Sequence, residues 1–77
     1  MYMKNQREIS LKIEKRLEEK CERYGEAGAI SCIKFKRNGD IIVSLGVTEV
    51  SVLTVKSAIE EVLEENNEFY RYIYIEL

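Results

Sequence analysis

The side chains best suited to chemistry are two cysteines, a run of alternating tyrosines and a few lysines, and histidine is absent. Without imidazole the chain lacks the commonest general base and the commonest metal ligand. A nucleophilic thiolate needs a neighbouring base or cation to form at neutral pH. Cys32 has Lys34 two residues on, but neither a base nor a resolving cysteine accompanies it. Cys21 falls on an apolar stripe, where a thiol acts as a small hydrophobe. CxxC, HExxH, GxSxG, Walker A and dinucleotide-glycine patterns do not occur. Asp40 is the sole aspartate and falls in a turn, so no paired-carboxylate site is indicated. These residues imply no enzyme, no cofactor and no metal site. Two thiols without paired spacing point to reduced cysteines in the cytoplasm.

The remaining candidate is the closing stretch FYRYIYIEL, residues 69–77. A strand sends alternate side chains to opposite faces, so Tyr70, Tyr72 and Tyr74 would share one stripe, with Phe69, Arg71, Ile73, Ile75 and Leu77 on the other side. Arg71 would then snorkel at a sheet edge.

Four further segments must position that stripe. Ile9, Ile13, Leu17, Cys21 and Tyr24 recur at helical spacing and predict a helix over about 6–24. Asn5 with Glu8 has capping-box spacing, and Gly25 suits the left-handed residue at the far end. Lys12, Lys15, Arg16, Glu18, Glu19 and Lys20 fall on its other faces.

AISCIKFKRNGDIIVSLGV reads as a hairpin, with strands at about 29–37 and 40–47. Asn38-Gly39 suggests a two-residue loop, but that register mixes charged and apolar residues on both faces. A three-residue loop, Arg37-Asn38-Gly39, pairs Phe35 with Ile41, Ile33 with Val43 and Ser31 with Leu45. One face then holds Ile33, Phe35, Ile41, Val43, Leu45 and Val47. The other holds Ile30, Cys32, Lys34, Lys36, Ile42 and Ser44. A one-residue slip exchanges the faces, so the three-residue loop is the expectation.

Val52, Val55, Ile59, Val62 and Leu63 predict a second helix over about 50–66, capped by Thr48 or Ser51 and ended by Asn66-Asn67. A strand over about 69–77 completes an α-β-β-α-β order. The fold class is α+β, a two-layer sandwich with two helices on one face of a three-stranded mixed sheet, forming a single domain over 1–77. The last strand can lie beside either hairpin strand, and the pattern leaves this open.

Seventy-seven residues bury only about 60% of the unfolded surface, which makes dimerisation a natural supplement to the core. No apolar run approaches the roughly 18 residues of a membrane span, and the N-terminus lacks the apolar region of a signal peptide. The net charge of −2 conceals ten Lys/Arg against seven Asp/Glu in residues 1–40, and two against seven in 41–77. The acids cluster at Glu60, Glu61, Glu64, Glu65 and Glu68. A basic nucleic-acid-binding composition is absent. The acidic run reads as a solvated helix face, with Glu60, Glu61, Glu64 and Glu65 as a secondary contact for a basic partner.

The element order resembles the C-terminal domain of NifU-type iron–sulfur scaffold proteins, and LTVKSAIEEVLEENN, residues 53–67, is similar to the helix there. That family's cluster-binding CxxC has no counterpart in GVTEVSV, so cluster binding does not carry over. The order also resembles ribosome-binding factor A and KH-like domains, which use a GxxG loop or small-residue kink against RNA. The matching position here is Ser57-Ala58, without glycine. Both resemblances rest on topology.

The outer sheet face, with Tyr70, Tyr72, Tyr74, Ile42, Lys34, Lys36 and Cys32, is therefore the candidate interface. Its primary reading is a homodimer or adaptor contact with protein. Its alternative is weak single-stranded RNA or DNA binding, in which each stacked base supplies ~1–3 kcal/mol.

Overall fold

A computed structural model describes residues 5–46 and 49–76. The order is α1 (Gln6–Tyr24), β1 (Ile30–Phe35), β2 (Ile41–Leu45), α2 (Val52–Glu65) and β3 (Ile73–Glu76). It is an α+β fold with two helices and a three-stranded mixed sheet, as the apolar patterns predict. The sheet order is β1-β2-β3, so β2 is central, antiparallel to β1 and parallel to β3. That settles the point the sequence leaves open.

In α1, Ile9, Ile13, Leu17 and Cys21 are buried on one stripe. Tyr24 continues that spacing but is exposed, because it lies at the last turn and opposite only the first turn of α2. Gly25 ends the helix in the left-handed region (φ 67°), and its N–H donates to the Cys21 carbonyl. The expected capping box is absent. Asn5 is itself left-handed (φ 50°), and its side chain makes no cap hydrogen bond. In α2, Ser51 is the N-cap and accepts from the Leu53 N–H at 3.1 Å. Thr48, the other candidate cap, and Val47, expected in the core, lie outside the described residues. Val55, Ala58, Ile59, Val62 and Leu63 are the buried stripe, whereas Val52 is exposed.

The hairpin takes the three-residue loop. Lys36 N–H donates to the Asp40 carbonyl at 2.9 Å, and Gly39 N–H to the Lys36 carbonyl at 3.0 Å. Gly39 carries the positive φ (97°) that the loop requires. Phe35 pairs with Ile41 and Ile33 with Val43. Further along, a bulge between Ile30 and Cys32 sets Ile30, rather than Ser31, opposite Leu45. Ile30 thereby leaves the outer face and packs against the core. The extra residue of a bulge reverses facing for everything beyond it, which alternation alone does not foresee.

The core joins the stripes of α1 and α2 to Ile41, Val43 and Leu45 of β2, with Ile33, Phe35, Ile73 and Ile75 at its margins. Both helices lie on this side of the sheet, and no described element covers the other.

Candidate functional site

β3 begins later than the expected residue 69 because its partner strand ends, and Leu77, expected on the core side, lies outside the described residues. Ile73 pairs with Ile41, the first residue of β2, and upstream of that point only the hairpin turn remains. Residues 69–72 therefore run as a loop, held by Arg71 N–H donating to the Gly39 carbonyl at 2.8 Å. This breaks the alternation expected for the tyrosines. Tyr70 is partly buried against the core, and its hydroxyl donates to Glu64 at 3.3 Å. Burial, with Glu60 and Glu64 nearby, pushes its phenol pKa up. Phe69, expected inside, is 58% exposed and lies over Gly39. Arg71 turns outward, with Nε 3.7 Å from Asp40 and its guanidinium 5.2 Å from the centre of the Tyr72 ring.

The outer face is consequently a two-tyrosine surface. Tyr72 and Tyr74 are 55% and 50% exposed, with ring centres 6.2 Å apart and planes tilted by 47°. Register places Lys34, Ile42 and Tyr74 in one row across the three strands. Cys32, Ser44 and Glu76 form the next row, with Ser44 and Glu76 side chains 3.2 Å apart. Ile42 is half-buried at the middle of the face, and Cys32 and Lys34 are exposed. Lys36 is exposed one residue beyond β1, at the loop. Of the seven candidate residues, six remain on or beside this face and Tyr70 does not. Lys34 and Tyr74 lie on opposite edge strands with Ile42 between them, and Lys36 and Tyr72 adjoin the ends of those strands.

The acidic surface expected on α2 is largely engaged within the molecule. Arg16 Nη1 is 2.9 Å from Glu61, and Nη2 is 2.7 Å from Glu65. Lys20, only 6% exposed, donates to Glu61 at 2.7 Å. The Lys20 ammonium, aided by Ser57 and Arg16, draws the Glu61 carboxyl down to about 2, and Arg16 lowers Glu65. Glu64 receives Tyr70, and Glu60 lies beside the same ring. This network was legible in principle. Arg16–Lys20 and Glu61–Glu65 are like-charged i,i+4 pairs of opposite sign, and each is unfavourable on its own helix. Antiparallel packing, seen in Lys12 reaching Asn66 and Arg16 reaching Glu65, turns both into favourable contacts.

Cys21 is buried, which raises its thiol pKa and opposes reactivity, and Cys32 is an exposed thiol. Among the described residues, no group of three potential metal-ligating side chains is assembled and no helix is long and apolar enough to cross a membrane. No family model, curated protein or solved structure matches the chain.

Proposed function

We propose that this is a small non-enzymatic interaction domain of the cytoplasm that engages protein through the uncovered face of its sheet. The observation that carries the reading is the Lys34–Ile42–Tyr74 row with Tyr72 beside it, an apolar centre that no described element covers. Aromatic residues around an aliphatic centre, rimmed by charge, are what the core of a protein interface resembles. Burying about 250 Å² more apolar surface there supplies on the order of 6 kcal/mol before the entropy of association is subtracted. The contact is therefore a modest, reversible one.

Single-strand nucleic-acid binding is the second reading, favoured by Lys34 lying in the tyrosine row. It is the weaker one because Arg71 is turned to Asp40 and Glu76 shares the face, leaving little positive charge to neutralise phosphates.

Photo-crosslinking separates the two. With p-benzoylphenylalanine replacing Tyr74, exposure in cells should give discrete protein adducts that Ile42→Lys removes. Adducts joining two copies of the chain set aside, absence of adducts, or adducts indifferent to Ile42→Lys, would overturn the protein reading. Tyrosine quenching by short oligonucleotides, weakening steeply with salt, would support the nucleic-acid one.

A further inference from the structure

The two edges of the sheet differ. β1 carries a bulge and Lys34, with Lys36 just beyond, devices that discourage pairing with another strand. β3, at the opposite edge, reads Ile-Tyr-Ile-Glu and has no proline, lysine or bulge. Its ladder phase is set by the Ile41 N–H, which donates to the Tyr72 carbonyl at 2.8 Å while Ile41 pairs with Ile73. In a parallel ladder of this phase Tyr74 and Glu76 turn their backbone groups toward β2. Ile73 and Ile75 turn theirs away from the sheet, with no partner strand among the described residues.

We infer that this edge pairs antiparallel with β3 of a second copy, about a two-fold axis beside Tyr74. The register follows from the phase. Only the alignment of Ile73 with Ile75 of the other copy, and the reverse, engages both outward residues of both strands. In that alignment Glu76, the sole charge of β3, faces Tyr72 of the other copy, Tyr74 faces Tyr74, and no like charges meet. The half-buried Ile73 and Ile75 side chains extend each copy's core to the other. Above this edge α2 brings Glu60 beside Tyr70, with Lys56 one turn earlier. The two-fold sets the two α2 helices antiparallel. Isologous pairing of this kind closes on itself and leaves the guarded β1 edges outermost.

The partner named here is a second copy, and only the role of its enlarged face rests on the reading above. In the six-stranded sheet the tyrosines move from an edge to the centre, where Tyr72 and Tyr74 of both copies form one cluster. The paired strands are short and fall below the ~800 Å² per partner of a standard interface, so a dissociation constant on the order of 100 μM is expected.

Sedimentation equilibrium from about 20 μM to about 1 mM, with amide exchange by NMR at both ends, tests this. The mass should rise toward two chains, and exchange at Ile73 and Ile75 should slow at least about threefold at the higher concentration. Ile75→Pro removes an outward N–H and spares the bonds to β2, so it should stay monomeric with an unchanged circular dichroism spectrum. If that variant fails to fold, the exchange data on the unaltered chain decide. A monomer at the highest concentration overturns the inference, as does a dimer in which Ile73 and Ile75 exchange unchanged. Ile42→Lys lies away from the edge and should dimerise normally. A dimer of the unaltered chain without any crosslinked partner thus counts against the face alone, and partners that Ile42→Lys removes, without a dimer, count against the edge alone.

Discussion

Gly39 does two things at once. Its positive φ of 97° closes the three-residue loop, and a Cβ there would lie 2.8 Å from the Phe69 ring. The loop before β3 therefore rests on the hairpin turn, and the same residue's carbonyl accepts from Arg71. Gly39→Ala should destabilise by about 1–3 kcal/mol, through backbone strain and displacement of Phe69, read as a lower denaturant midpoint. A loss within about 0.3 kcal/mol would mean that the Phe69 contact and the turn geometry are both dispensable. Asp40, next in the chain, shows why these positions act together. It accepts from the Asn38 amide at 3.2 Å and faces Arg71, which in turn lies over Tyr72.

At the scale of elements, the two helices are joined by charge as well as by their apolar stripes. Lys20 is buried against α2 and keeps its ammonium solvated chiefly through Glu61. Removing that carboxylate with Glu61→Ala leaves a buried donor short of its partner and should cost ~2 kcal/mol. The sign of the pH dependence follows from the depressed carboxyl. Glu61 titrates near 2 in the fold against an ordinary 4.5, so its stabilisation is full above the ordinary value and is lost as pH falls from 4.5 toward 2. Glu65, lowered by Arg16, acts in the same direction. Because these carboxylates are substantially exposed, screening reduces the effect, and added salt should reduce it further. Thermal melts between pH 5 and pH 2 should show a fall in midpoint for the unaltered chain and a shallower fall for Glu61→Gln. Parallel slopes for the two proteins would show that other carboxylates govern acid unfolding.

At the scale of the whole molecule, a single layer of two helices covers one side of a three-stranded sheet, and no described element covers the other. With so small a core each buried side chain carries a large share of the stability. Ile59 is fully buried in α2, and Ile59→Ala should cost about 2–5 kcal/mol, enough to leave much of the chain unfolded at 37 °C by circular dichroism. A cooperative, nearly unchanged melt would contradict that picture of a marginal core. The same smallness is the physical ground for the association we propose through β3 and the outer face, which would add buried surface that one copy cannot supply.

Apolar periodicity by itself determined five elements, their order, the hairpin register near the loop and the choice of core face. These follow from 3.6-residue and two-residue spacing, which act locally. Tertiary structure decided what depends on where a neighbour ends. Tyr70 continues the alternation of Tyr72 and Tyr74, yet turns inward because β2 offers no partner before Ile41. Ile30 changes faces at a bulge that no residue type announces. Lys20, chemically a surface residue, is buried because antiparallel packing places Glu61 within reach. In each case a long-range partner, present or missing, overrides the local pattern. For the candidate surface, the consequence is Tyr74 on the edge strand and Tyr72 in the loop just before it, beside Ile42, in place of a three-tyrosine stripe.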